Sequence, residues 1–153
     1  MGFEEVAHTA DWALRVWAVD LPGLFPEAAR GMYALAGVKP VEGAARSAPV
    51  PQERVSFSKN TKKIRQFTAD APDIESLLVA FLSELVYVAE QEKLMYTGLV
   101  VGLFKSPEGW SLKVDLEAAP IVAINKAIKA VTYHNLHIQQ TARGYEAEIV
   151  FDV

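Results

Sequence analysis

Apolar residues recur along this chain at two different periods, and the switches between them outline its elements. Residues 12–19 alternate, with Trp12, Leu14, Val16 and Ala18 on one face and Asp11, Arg15 and Trp17 on the other, which predicts a strand. Asp20 then offers an N-cap and Pro22 suits a first helical turn. From there Leu21, Leu24, Phe25, Ala28, Ala29, Met32, Tyr33 and Ala36 repeat at three and four, the stripe of an amphipathic helix that Gly37 can close. Residues 38–52 hold Pro40, Gly43, Pro49 and Pro51 among small residues and read as a loop. Residues 53–69 read as a hairpin turning near Asn60. Asp70 or Asp73 caps a second helix, whose stripe runs Ile74, Leu77, Leu78, Phe81, Leu82, Leu85 and Val86 and whose end falls after Ala89. Two further hairpins follow. One spans 95–104 and 110–116 around Pro107-Glu108-Gly109, and the other spans 128–139 and the strand to Val153 around Ala142-Arg143-Gly144. Hairpins outnumber strand–helix alternations, so the expected fold class is α+β: a largely antiparallel sheet with two amphipathic helices packed on it. Residues 1–153 read as one compact domain without internal repeats.

The last hairpin sorts by parity. Tyr145, Ala147, Ile149, Phe151 and Val153 form an apolar face, and Glu146, Glu148, Val150 and Asp152 the other. In the preceding limb Ile128, Ala130, Leu136 and Ile138 share one parity, and Lys129, Tyr133, Asn135, His137 and Gln139 the opposite one. An even-numbered turn makes the two apolar faces coincide. A four-residue loop then sets Asp152 opposite Tyr133, with Lys129 further along the same polar face. His134 falls on the apolar side and reads as a partly buried structural histidine, while His137 reads as a cross-strand partner of Glu148.

Composition narrows the chemistry. There is no cysteine among the 153 residues, which excludes disulfides, thiol catalysis, thiolate zinc and iron–sulfur sites. The three histidines, His8, His134 and His137, have no spacing that suggests a zinc triad. A net charge of −4 argues against a chain that holds nucleic acid by itself. The cationic cluster Lys59, Lys62, Lys63 and Arg65 reads as a solvated hairpin turn. No apolar run approaches the roughly 18–20 residues of a membrane span, and the N-terminus does not read as a signal peptide. The expected location is the cytoplasm.

Five strings together resemble the archease family. They are His8-Thr9-Ala10-Asp11; Asp20-Leu21 with Leu24-Phe25 and Ala28-Ala29; Phe81-Leu82-Ser83-Glu84-Leu85-Val86-Tyr87; Lys129-Ala130-Val131-Thr132-Tyr133-His134; and Phe151-Asp152-Val153. The likeness runs through the whole chain in the family's order, and the Lys-Ala-Val-Thr-Tyr-His string is its most specific part. It implies a non-enzymatic protein cofactor of the RtcB-type RNA ligase, which uses GTP and manganese to join RNA ends in tRNA splicing and RNA repair. The family member promotes guanylylation of that ligase and restores it for further turnovers. The resemblance also implies a divalent metal site at Asp11, Asp152 and Val153, and a functional lysine at Lys129; RNA would be met only through the ligase.

The residue types suit that expectation. The carboxylates of Asp11 and Asp152 and the terminal carboxylate of Val153 are hard oxygen donors, appropriate to calcium, magnesium or manganese. Lys129 could meet a nucleotide phosphate or an acid on the ligase. Taken singly, Asp11 is an ordinary turn or cap residue, Asp152 a strand end, and Lys129 a cross-strand partner of Asp152. Three positions depart from the family pattern and leave its acidic cluster incomplete: Ala127 stands before the Ile-Lys-Ala string, Gly37 and Val38 follow the first helix with Glu42 the nearest acid, and Ser83 replaces an asparagine. Two rival readings use the same residues. One is a metal-dependent phosphohydrolase, which would need an activated water with an acid or base in reach. The other is a chaperone-like modulator of an RNA-modifying enzyme such as a methyltransferase.

Overall fold

The structure is a computed structural model, and it describes residues 1–6, 12–41 and 63–153. In chain order these residues form β1 (Gly2–Val6), β2 (Trp12–Ala18), α1 (Leu21–Ala36), β3 (Lys39–Pro40), β4 (Lys63–Ala71), α2 (Ile74–Glu92), β5 (Leu94–Ser106), β6 (Gly109–Ala123), β7 (Ala130–Val131), β8 (Gln139–Thr141) and β9 (Gly144–Asp152).

Both helices follow from their local sequence. The Asp20 side chain accepts a hydrogen bond from the Gly23 amide at 2.8 Å, which satisfies a first-turn donor of α1. Gly37 ends the helix at φ 66°, a left-handed conformation that costs glycine little. For α2 the cap is Asp73, whose side chain accepts from the Ser76 amide at 2.7 Å. Asp70 instead lies in β4 and accepts from the Ser111 hydroxyl at 2.6 Å. The helix runs past Ala89 to Glu92, because Glu90, Gln91 and Glu92 are good helix formers. Arg65 of β4 grips the Glu92 carboxylate at that end, and Lys93 closes the helix at φ 57°.

Among the described residues every strand pairing is antiparallel, but the strands divide between two sheets rather than the single sheet expected. The first has the order β1-β2-β9, with β7 and β8 both pairing with the far edge of β9. The second is built on the long hairpin β5–β6, with β4 on the other side of β6 and β3 at its end. That hairpin extends well beyond the predicted 95–104 and 110–116. β1 was not foreseen, since Gly2–Val6 carries only Phe3 and Val6 as apolar spacing. Lys39–Pro40 adds a short pairing inside the predicted loop. The first limb of the predicted hairpin at 53–69 lies outside the described residues, as do Lys59 and Lys62, while β4 supplies the second limb.

One core joins the two sheets. Leu14, Val16, Ala147, Ile149 and Phe151 of the first sheet and Leu112, Val114 and Leu116 of the second belong to the same buried cluster as the helix stripes. Phe25 of α1 and Phe81 of α2 meet at its centre with ring centroids 5.5 Å apart. Burying each ring contributes about 1.5–3 kcal/mol. No helix among the described residues is long and apolar enough to cross a membrane.

The predicted strand at 128–139 is two short strands with a bulging segment between them. β8 keeps the expected register, Gln139 opposite Glu146, around a two-residue turn. Gly144 follows that turn at φ 108°, where a Cβ would stand 2.2 Å from the Ala18 carbonyl oxygen. Between the strands, residues 132–138 face only residues 147–150 of β9, so pairing resumes out of step, with Val131 opposite Phe151 and Ala130 opposite Asp152. Two contacts stabilise the departure. Asn135 takes φ 55°, within a turn closed by Leu136 N–H to the Tyr133 carbonyl at 3.0 Å. The Ile138 amide donates to Glu75 of α2 at 3.0 Å instead of to β9.

Candidate functional site at the end of the terminal strand

β9 buries Ala147, Ile149 and Phe151 and exposes Asp152 as its sequence predicts, but Val150, expected on the polar face with Glu148 and Asp152, is buried as well. Phe151 anchors the end of the strand. It is fully buried, with Trp12 of β2 opposite on one side and Val131 of β7 on the other. The next residue, Asp152, is therefore held at the edge of a rigid sheet.

Lys129 meets Asp152 through the backbone. Its amide donates to the Asp152 carbonyl at 2.8 Å. The expected partner on the polar face, Tyr133, is displaced by the bulge, and Ala130 stands opposite Asp152 instead. The slip is an odd number of residues, so it exchanges the faces of the two side chains. Lys129 consequently borders a cleft behind the strand rather than sharing a face with Asp152. Among the described residues neither Lys129 nor Asp152 makes an ion pair, so the cross-strand pair between them is not formed.

The segment leading to Lys129 is pinned from two other directions. The amides of Asn125 and Lys126 both donate to the Ala36 carbonyl at the end of α1, each at 3.0 Å. The Lys126 ammonium lies 5.0 Å from the centroid of the Trp12 ring, a cation–π contact. Trp12 is thus tied both to this segment and to Phe151.

The other predicted residues sort differently. Asp11 and His8 lie outside the described residues. Val153 is half-buried at the end of β9. His134 is exposed rather than on the core side, because the bulge turns it outward; its amide donates to the Thr132 hydroxyl at 3.3 Å. His137 approaches Glu75, with Nδ1 to Oε2 at 3.7 Å, and Glu148 pairs with Arg15 at 3.3 Å instead. Arg65, expected in a solvated turn, lies part-buried within β4 and pairs with Glu92. Among the described residues no group of three or more acids and histidines is arranged to hold a metal.

Two residues at the site carry no motif that would mark them. Lys93 stands at the end of α2 beside the same cleft as Lys129. Tyr33 also lines it; the phenol oxygen accepts from the Tyr96 amide at 3.1 Å, and burial pushes its pKa well above the ordinary value. Tyr33 is therefore a neutral, structural hydroxyl.

Residues 3–153 match the model of the Archease protein family (MTH1598/TM1083). The chain is 29% identical over 158 residues to protein archease of Methanopyrus kandleri, covering 100% of both chains. It is also 29% identical over 164 residues to protein archease of Methanosarcina barkeri, covering 99% of this chain and 95% of that one. Among solved structures, the solution structure of Methanobacterium thermoautotrophicum protein 1598 superposes with a TM-score of 0.64 at 21% identity, covering 99% of each chain. The crystal structure of an archease, possible chaperone, from Thermotoga maritima superposes with a TM-score of 0.62 at 14% identity, covering 98% of this chain and 96% of that one. At those identities the two structures speak for the fold alone, which they share with the two-helix, antiparallel architecture described above. The whole-length match of the family model carries the conclusion: this chain belongs to the archease family.

Proposed function

We propose that the chain is a non-enzymatic activator of an RtcB-type RNA ligase, promoting its guanylylation and repeated turnover in tRNA splicing and RNA repair. In this reading Lys129 contacts the ligase or its nucleotide, and Asp11, Asp152 and a main-chain oxygen of Val153 hold a divalent cation. The observation that supports it best is the bond from the Lys129 amide to the Asp152 carbonyl, which joins the two motif strings at one point of the sheet. The sequence neighbours of the two acids add support, since Trp12 pairs with Phe151.

The donor chemistry fits a hard cation. Asp152 is exposed and free of ion pairs among the described residues, so its carboxylate oxygens are available, and calcium, magnesium and manganese favour such ligands. When bound, the ion would neutralise the gathered carboxylates and present positive charge toward a nucleotide phosphate. Lys129, on the other face of the strand end, would add a mobile ammonium for an acid on the ligase or for a phosphate of its nucleotide.

Guanylylation of the cognate ligase by GTP tests the proposal. Folded Asp11→Ala, Asp152→Ala and Lys129→Ala variants should each lose most of the stimulation. Stimulation retained in all three would refute it. Manganese-dependent hydrolysis of phosphate esters by the isolated chain would favour a metal enzyme instead.

A further inference from the structure

A cleft of about 340 Å3 opens where the C-terminal ends of α1 and α2 meet residues 124–129. Its apolar lining includes Met32 and Ala36 from α1, Leu85 and Val86 from α2, and Ile124 and Ile128 from the third wall. Three exposed charged residues border it: Glu90, Lys93 and Lys129. Neither lysine makes an ion pair among the described residues.

The cleft is held open by the fold. Its third wall is tied to the Ala36 carbonyl through Asn125 and Lys126, and to Asp152 through the Lys129 amide. A site held in this way loses little conformational freedom on binding. Its volume corresponds to roughly ten waters, enough for one large apolar side chain. Water there faces mostly hydrocarbon, so an apolar group replaces it favourably. The surface around it is also apolar: Ile124 is 39% exposed, and Val122, just before it in the chain, 63%.

We infer that this cleft is an anchor socket for the ligase partner, receiving an apolar side chain that has acidic residues beside it in sequence. The inference rests on the proposed ligase role, and continuity and charge select the occupant. Lys129 is both a wall of the cleft and the residue whose amide joins Asp152, so a protein that covers that pair also covers the mouth. Two ammonium groups against one carboxylate then favour an acid over a base next to the buried side chain. A single desolvated anchor within a charged rim is how binding energy concentrates in protein interfaces.

Two substitutions test the socket without touching the core. Ala127 is exposed and lines the cleft, so Ala127→Trp fills it from the rim. Lys93→Asn removes a rim charge while tolerating the left-handed backbone at φ 57°. Affinity for the RtcB-type ligase from the same genome is measured by calorimetry, after urea unfolding shows each variant as stable as the parent. Ala127→Trp should weaken binding at least tenfold and Lys93→Asn about threefold or more. The peptide acetyl-Glu-Phe-Glu-Glu-amide should shift the amide resonances of residues 85–93 and 124–129 in the parent and not in Ala127→Trp. Unchanged ligase affinity in both variants overturns the socket while leaving the ligase role standing. A parent chain that does not bind the ligase overturns the role and the socket with it. Octanoate filling the cleft where the peptide does not makes it a small-molecule site and also overturns the inference.

Discussion

Adjacent residues at the end of β9 should separate stability from function. Phe151 is 0% exposed and packed between β2 and β7, whereas Asp152 is exposed and makes no ion pair among the described residues. Phe151→Ala removes a fully buried ring from the core cluster and leaves a cavity there, which costs about 3–5 kcal/mol. Against a total stability of roughly 5–15 kcal/mol, that is a large share. With a urea m-value of about 2 kcal/mol/M, the unfolding midpoint falls by roughly 1.5–2.5 M. Asp152→Asn keeps the shape and the backbone bond from Lys129, so its stability change stays within about 0.5 kcal/mol. Urea titrations followed by far-UV circular dichroism measure both, and calorimetric calcium or manganese titrations of the folded proteins supply the second axis. Asp152→Asn should lose cation affinity at full stability. Phe151→Ala losing less than about 1 kcal/mol would refute the account of Phe151 as the anchor. Asp152→Asn losing as much as Phe151→Ala would show that the acid serves the fold.

Gly144→Ala forces a non-glycine residue to φ 108° with its Cβ 2.2 Å from a backbone oxygen. The strain alone costs about 1–3 kcal/mol, so thermal unfolding should come several degrees earlier, and a Tm within 1–2 °C of the parent would refute the requirement for glycine. Glu84 on α2 has its pKa raised by partial burial, with Arg65 opposing the shift. A carboxyl with a raised folded-state pKa binds more protons in the folded than in the unfolded protein, so its ionisation weakens the fold as pH rises from the ordinary carboxylate value through the raised one. Glu84→Gln should therefore match or exceed the parent's Tm at pH 7, with the advantage vanishing below the ordinary carboxylate range; a variant less stable at pH 7 than at pH 4, relative to the parent, would refute the sign.

Both helices and their N-terminal caps were legible in the sequence, because an apolar stripe at three and four and an Asp before it act within a few residues of each other, whereas the left-handed Lys93 that closes the second helix was not. Capping was ambiguous only between Asp70 and Asp73, which a strand contact to Ser111 resolved. The face of β9 was legible for the same reason: alternation is local, and it separated Phe151 from Asp152. The candidate site was half legible. The strings around Lys129 and Asp152 named the right neighbours, but the expected meeting of side chains on one polar face became a backbone bond, with Lys129 turned toward a cleft.

What the sequence alone determined was which residues form helices, which turn corners and which side of a strand is dry. The tertiary structure decided how distant strands align and how they share sheets. Residues 133–138 leave the ladder where Glu75, 63 positions before Ile138, takes the Ile138 amide and Asn135 turns left-handed beside the bond from the Leu136 amide to the Tyr133 carbonyl. Lys93 joins Lys129 because Asn125 and Lys126 bond the end of α1 and bring the third wall beside both helix ends. Periodicity is a property of one segment. Register and clefts belong to pairs of segments far apart in the chain, and only their competition for the same backbone hydrogen bonds and buried area settles them.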